Sequence, residues 1–346
     1  MTPTMHPAPD YRLVVDGVDI TAKINPRLIS LTLTECRGRE ADQLDLVLDD
    51  ADGRLAIPPK RAAISLLLGW TGQALIDKGT FTVDEIEHIG SPDQLQIRAR
   101  SADMVESLKV RSEKSWHGET IGAIVSSVAS RHKLRCRVEA SLASVVIDHI
   151  DQTNESDLNF ISRIAKRYDA VMSIKKGTLL FLPINGTRDS RGRPLSEQVI
   201  TRSAGDHHRF HSADRDAYSG VRAYWHDPKR AKRRGVLAGR DGDTKRLRDT
   251  YANQADALAA ARAEWQRIQR GAATMELTLA LGRPEVIPQT PISLSEFKPS
   301  IDVIPWLTVK ATHSLGDGGL ITRVQLETAA TAGATATLDE GESDRR

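Results

Sequence analysis

The sequence predicts an α+β fold that is mainly β: two antiparallel β regions, an α+β insert between them, and one long helix within the second region. Three observations carry this prediction. Apolar residues alternate with polar ones towards both ends of the chain, the period-two signature of half-buried strands. In the middle the spacing changes to 3.6 residues, which marks amphipathic helices. The two β regions also echo one another at several positions.

Residues 1–10 hold three prolines and read as a flexible arm. From Tyr11 the alternation begins, with Ile29, Leu31 and Leu33, then Leu44, Leu46 and Leu48, then Leu95, Ile97 and Ala99. Asp16-Gly17 and Asp52-Gly53, with Gly72, Gly79 and Gly90, supply turns. Residues 11–110 are therefore expected to form a first β domain, a barrel or a sandwich. Ile121, Ile124, Val125, Val128 and Ala129 then share one helix face, and a strand is expected over Val145 to Ile150. Leu158, Ile161, Ile164, Ala165 and Tyr168 mark a second helix, which Thr153 and Asn154 are expected to cap. Ala170–Ile174 and Thr178–Leu182 form a hairpin about Lys176-Gly177, which completes an α+β insert over 111–197. Strands return near Val199, Tyr218, Thr274, Ile292, Trp306 and Leu320, placing a second β domain at 198–328. Its long helix spans 251–270, with Leu258, Ala261, Trp265 and Ile268 on one face and Gly271 as its stop. The tail 329–346 carries Ala, Thr, Gly and charges and is expected to be disordered.

The echo joins the two β regions. Phe81-Thr82-Val83, His88, a turn and Leu95 parallel Leu307-Thr308-Val309, His313, a Gly-rich turn and Leu320, with one gap needed to align them. Duplication of one β unit accounts for it.

A chain of 346 residues accommodates two domains and a smaller module. Lys plus Arg number 48 and Asp plus Glu 46, a net charge of +2, so the whole does not advertise a polyanion partner. Aromatics are scarce at 4%, so the core must be built from Leu, Ile, Val and Ala. Cys36 and Cys136 stand far apart in sequence and read as two reduced thiols. No run reaches the ~18 apolar residues that a membrane span needs, and the N-terminal residues do not form a secretory signal. Synthesis in a cytoplasm is the expectation.

The search for chemistry is mostly negative. The sequence holds no Walker loop, GxGxxG, GxSxG, HExxH or CxxC, so no catalytic, cofactor-binding or metal residue is nominated. Asp49 to Gly53 resembles a calcium loop, but the required register puts Leu48 at the first ligand position and Pro59 where a bidentate Glu belongs. Asp206, His207, His208, His211, Asp214 and Asp216 could ligate zinc if His207 and His211 shared a helix face. Gly205 and the strand pattern that follows argue for a polar connector instead. One basic cluster stands out between Asp227 and Arg248, nine basic residues against three acidic, among them Lys229, Arg230, Lys232, Arg233 and Arg234. Its glycines suggest a flexible loop without interleaved aromatics, better suited to an acidic protein face than to nucleic acid. His117 to Ile121 resembles half of a LysM peptidoglycan-binding module, with an ordinary helix as the plainer reading.

Several longer stretches resemble one family closely. ADQLDLVLDDADGRL (41–55), IDKGTFTVDEIEH (76–88), HIDQTNESDLNFISRIAKRYDA (149–170), DRDAYSGVRAYWHD (214–227) and AARAEWQRIQRGAATMELTLALGRPE (260–285) are similar to the late control protein D family of contractile-tailed bacteriophages, from about Tyr11 to Glu327. The resemblance implies a baseplate hub, related in design to the hub part of type VI secretion VgrG proteins. It implies two tail-tube-like β-barrel domains per chain and a homotrimer, so that six barrels meet the hexameric tail tube while the opposite side holds the trimeric spike. Tape-measure and other baseplate proteins are further expected partners, with no membrane insertion and no nucleic-acid role. The protein would be made and assembled in the host cytoplasm and end in the virion tail baseplate. No catalytic motif comes with the family, so an enzyme is not expected.

Two rival readings remain open at this stage. A nucleic-acid-binding late-gene regulator should show a reading helix beside its basic residues, and the sequence presents none. A tail-associated peptidoglycan-binding or hydrolysing protein, if hydrolytic, needs a poised pair of carboxylates or a nucleophile, and none is nominated.

Overall fold

The alternating apolar residues fold as expected into a first set of strands. A computed structural model describes residues 7–38, 40–101, 106–184, 193–212, 218–329 and 336–339. In order these give β1 (Pro9–Val15), β2 (Val18–Asp19), the helical turn α1 (Thr21–Ile24), β3 (Leu28–Cys36), β4 (Gln43–Asp49), β5 (Ala63–Trp70), β6 (Ile76–Ile89) and β7 (Gln94–Ser101). The longer strands lie in the antiparallel order β3-β4-β7-β6-β5-β1. One face of each strand is buried: Leu31 and Leu33, Leu44, Leu46 and Leu48, Leu95, Ile97 and Ala99 meet Leu13, Leu66, Leu68 and Phe81 in one core. Each large side chain so buried contributes roughly 1.5–3 kcal/mol before chain entropy is opposed. Gly79, expected in a turn, instead lies within β6 at a break in register with β5, where its φ of 103° suits a residue without a Cβ.

The insert follows as β8 (Arg111–Thr120), α2 (Ile121–Arg131), β9 (Arg135–Val138), α3 (Ala140–Ala143), β10 (Val146–Ser156), α4 (Asp157–Arg167), β11 (Ala170–Lys175) and β12 (Thr178–Pro183). The apolar faces of α2 and α4 close on Trp116, Ile147, Met172 and Phe181 in a core of their own. Thr120 caps α2 by accepting from the Ala123 amide at 3.1 Å. The expected cap of α4 is corrected. Thr153 and Asn154 lie in a bulge of β10, with Asn154 at φ 47°, and Ser156 is the N-cap. The reason is Gln152, whose buried amide donates to Ser112, to the Glu155 carbonyl and to Asp157, extending the strand past the expected helix start. Lys176 and Gly177 both take positive φ in the two-residue hairpin, as its twist demands.

The last part comprises β13 (Gln198–Thr201), β14 (Gly205–Ser212), β15 (Gly220–Asp227), β16 (Lys232–Gly239), β17 (Thr244–Tyr251), α5 (Gln254–Gly271), β18 (Ala273–Leu279), β19 (Pro291–Ser295), α6 (Pro299–Asp302), β20 (Trp306–Gly316), β21 (Gly319–Thr328) and β22 (Ala336–Asp339). Six of these strands pair in the order β14-β18-β21-β20-β19-β13. Matched one to one along the chain, that is the order of the first set. The irregularities match as well. Ile29 in β3 and Asp206 in β14 are each skipped in pairing with the next strand, and so are Asp84 in β6 and Val309 in β20. Arg61 and Gln289 hold φ of 71° and 75°, and the residue after each accepts from the amide of Val83 or Thr308 at 3.0 Å. Buried Leu44, Leu46 and Leu48 correspond to Met275, Leu277 and Leu279. The units differ at one edge, where β1 runs antiparallel to β5 but β13 runs parallel to β19.

This repetition refines the sequence echo. Val309 corresponds to Asp84 rather than to Val83, so His88 and His313 align without a gap, and the length difference falls in the hairpin turns. β3 pairs with β20, and the two units form one continuous 13-stranded sheet. Among the described residues the second unit alone carries an insertion between its first two sheet neighbours: β15, β16 and β17, which β22 joins to make the small sheet β17-β15-β16-β22, and α5, which packs Ala257 and Ala261 onto Val221, Ala223, Val236 and Ala238. Part of the tail expected to be disordered is thereby corrected. Ala336–Asp339 pairs with β16, whose edge would otherwise lack a partner, while 330–335 and 340–346 lie outside the described residues.

Candidate assembly surface

The joint between the two units is a backbone ladder with a polar centre. β19 pairs with β20 only at Trp306 and Leu307, so the later half of β20 has an edge to spare, and β3 fills it from Lys310 opposite Cys36 to Leu315 opposite Leu31. Behind the ladder, His313 is fully buried. Its Nε2 faces two acceptors, Glu35 Oε2 and the Val286 carbonyl, both at 3.2 Å, so the proton sits there. Nδ1 accepts from the Thr322 hydroxyl at 2.9 Å, and that hydroxyl in turn accepts from the Arg283 amide. Lys78, with its side chain 1% exposed, reaches from β6 to Glu35 at 2.5 Å and to the Pro284 carbonyl at 2.8 Å. Burial acts to raise the Glu35 carboxyl, but Lys78 and His313 outweigh it and hold it at about 2. Burial, helped by the Lys78 charge, lowers the His313 imidazole and keeps it neutral. Trp70 adds an indole hydrogen bond to the Gly282 carbonyl at 3.0 Å. Every member of this cluster is satisfied, the condition under which a buried polar network fixes one arrangement.

The corresponding edge of the first unit is open. β5 covers β6 only as far as Thr82, opposite Ala63, so Asp84 to Ile89 pairs with β7 alone among the described strands. His88, the counterpart of buried His313, keeps 41% of its side chain exposed beside Asp50 at 3.3 Å. The counterpart of β3 is β14, which ends the sheet on its other side and presents His207, Arg209 and His211 to solvent.

The basic residues singled out in the sequence fall on a hairpin, which corrects the flexible-loop expectation. Lys229 and Arg230 lie in the turn after β15, while Lys232, Arg233 and Arg234 open β16. Aromatics are present after all. Arg233 stands 3.9 Å over the Tyr224 ring and Arg234 5.9 Å from that of Trp225, because the hairpin places them on neighbouring strands. Lys229, Arg230, Lys232 and Arg233 are exposed. Lys245 is drawn back onto Glu264 at 2.8 Å and so lies apart from that tip.

Ionic braces tie the insert to both units, and sequence reasoning missed them because their partners are distant along the chain. Arg270, on α5 and buried, forms a two-pronged pair with Asp169 and reaches Glu327 at 3.2 Å. Arg167 pairs with Asp256, Lys175 with Asp42 and Lys176 with Asp77. The calcium-like turn is occupied by its own contacts: Asp52 binds Arg27 and Asp50 accepts from the Leu55 amide at 2.9 Å. His207, His208 and His211 lie on a strand, and Asp214 and Asp216 fall outside the described residues. Among the described residues no group of three metal-ligating side chains gathers.

Comparison with known proteins agrees with this architecture. The phage tail baseplate hub (GPD) family matches residues 23–319. The chain is 43% identical over 361 residues to the probable baseplate hub protein of Escherichia phage 186, covering 92% of this chain and 93% of that one. It is 42% identical over 359 residues to the probable baseplate hub protein of Escherichia phage P2, with the same coverage. Among solved structures, a tail protein of Neisseria meningitidis MC58 is similar with a TM-score of 0.67 at 14% identity, covering 92% of this chain and 96% of that one. A type VI secretion component of Escherichia coli is similar with a TM-score of 0.55 at 14% identity, covering 94% of this chain and 79% of that one. At such identities these structures share the fold alone.

Proposed function

The chain belongs to the phage tail baseplate hub (GPD) family, and from that premise we propose that this hub is a trimeric symmetry adaptor joining the hexameric tail tube to the trimeric spike. One observation carries the reading: a single chain holds the same six-strand order twice, with the same bulges. Three such chains offer six nearly equivalent barrel-like modules to a sixfold ring, while features that occur once per chain remain threefold. The insertion after β14 is such a feature, and its hairpin tip, with Lys229, Arg230, Lys232, Arg233 and Arg234, is proposed to contact an acidic face of a neighbouring tail protein. The ionic braces at Arg270 and Lys175 suit a part that must transmit a contraction load without opening. Assembly is proposed to take place in the bacterial cytoplasm, with the finished hub in the virion tail baseplate.

Native mass spectrometry of the full chain, alone and with its cognate spike and tube proteins, tests this. A mass of three chains in at least one of these mixtures is expected. A chain that stays monomeric in all of them overturns the adaptor.

A further inference from the structure

We infer that His117 and His149, opposed on β8 and β10 of the insert, form a two-histidine site for a divalent transition-metal ion of tetragonal geometry, copper(II) or nickel(II), with water completing the coordination. The site lies within one chain and does not depend on the trimeric reading. The ladder builds it. His117 stands opposite His149, and Ser115 opposite Asp151, two rungs along. Side chains in a strand share a face at every second residue, so these two rungs face the same way. The rung between them, Trp116 opposite Ile150, turns inward and is buried. Both imidazoles lie in solvent, His149 with 49% of its side chain exposed, so the core has no use for them and an ion reaches them freely.

Two independent features of the pair point to a metal. The first is its outer support. His149 Nε2 lies 3.0 Å from Asp151 Oδ2, and Asp151 Oδ1 accepts from the Ser115 hydroxyl at 2.6 Å. The hydrogen bond from Ser115 above all, and that from His149, hold the Asp151 carboxyl below the ordinary carboxylate range. A carboxylate only accepts, so Nε2 carries the imidazole proton and Nδ1 is left with its lone pair. A carboxylate behind the far nitrogen is the arrangement that fixes the tautomer of a metal-ligating histidine and raises its basicity. The second feature is the spacing. His149 Nδ1 faces His117 Nδ1 at 3.0 Å, while the ring centres are 4.5 Å apart, so the nitrogen edges of the rings approach one another. Two imidazole nitrogens bound to one ion at 2.0–2.1 Å stand about 2.8–3.0 Å apart at a right angle and about 3.3–3.4 Å apart at the tetrahedral angle. The pair has the right-angle spacing, which copper(II) and nickel(II) adopt and zinc does not. An ion held there would pin β8 to β10, which pair only with each other among the described strands, and so brace the insert.

The test is titration of the untagged full chain with copper(II), read by isothermal titration calorimetry and electron paramagnetic resonance. The strongest site should take one ion per chain and show hyperfine splitting from two imidazole nitrogens. Asp151→Asn should weaken that binding about 10–100-fold through loss of the outer partner while both nitrogens stay in the spectrum, and loss of a ligand in His117→Gln or His149→Gln should weaken it further. His207→Gln with His211→Gln, on β14, should leave the titration unchanged. Nickel(II) should raise the melting temperature of the unaltered chain and not that of His149→Gln. All the altered positions are exposed, and circular dichroism confirms folding. A titration unchanged by His117→Gln with His149→Gln, or a spectrum with fewer than two nitrogens, overturns the site. Zinc binding as tightly as copper(II) overturns the choice of metal.

Discussion

Replacing Lys78 with Met probes the joint between the two units where it is most vulnerable. The ammonium lies 2.5 Å from Glu35 and 2.8 Å from the Pro284 carbonyl, with almost no solvent. The methionine fills similar volume but leaves Glu35 buried with His313 as its one remaining side-chain partner. Removing one partner of such a pair costs about 3–5 kcal/mol. The pH dependence gives a second measure. Glu35 is held at about 2 against an ordinary value of 4.5, so it contributes about 3 kcal/mol that is present above pH 4.5 and lost as pH falls through 2. In Lys78→Met that acid-labile contribution should shrink, because only His313 is left to hold the carboxyl down. Urea unfolding at pH 7, followed by tryptophan fluorescence, is a suitable assay, since Trp70 bonds Gly282 across the same joint. Lys78→Met with Glu35→Leu should recover most of the loss, because no charge is left unpaired. A single variant that loses less than about 1 kcal/mol would refute the argument that this pair holds the units together.

Three further outcomes follow from the same geometry. His313 is kept neutral by burial, so the unfolded chain takes up a proton that the native chain does not: stability should fall as pH drops below 6.5, and His313→Gln should flatten that slope in melting temperature against pH. Ser156→Ala should cost about 1 kcal/mol through loss of the α4 cap, whereas Thr153→Ala should cost far less, a contrast read by chemical denaturation. Lys229→Glu with Arg233→Glu should weaken assembly with tail partners several-fold while shifting the melting temperature little, since the stacking of Arg233 on Tyr224 is worth only about 0.5–1 kcal/mol at an exposed site.

The fold was legible wherever burial was one-sided. Leu44, Leu46 and Leu48 announce their strand because every second residue faces the core, and Ile121 to Ala129 announce a helix for the same reason. β8 and β14 were illegible: each is a largely exposed strand with one large aromatic, Trp116 or Phe210, among polar residues, so no alternation shows. β16 was hidden by its charges and by Gly235 and Gly239, although its second half buries Val236, Leu237 and Ala238. The repeat was visible as an echo, but its register was not, because a skipped residue leaves no mark in composition. The joint was the least legible feature. Glu35, Lys78 and His313 stand among other polar residues of half-buried strands and carry no mark of burial, and only the fold brings them within 3.2 Å of one another in a chain of contacts.

The central claim is that two equivalent units per chain let a threefold assembly present sixfold geometry. Electron cryomicroscopy of the assembled hub, reconstructed without imposed symmetry, measures this directly. The account predicts three chains whose six β units alternate, first and second, at one radius about a common axis. Any other number of chains, or first and second units at different radii, would contradict it.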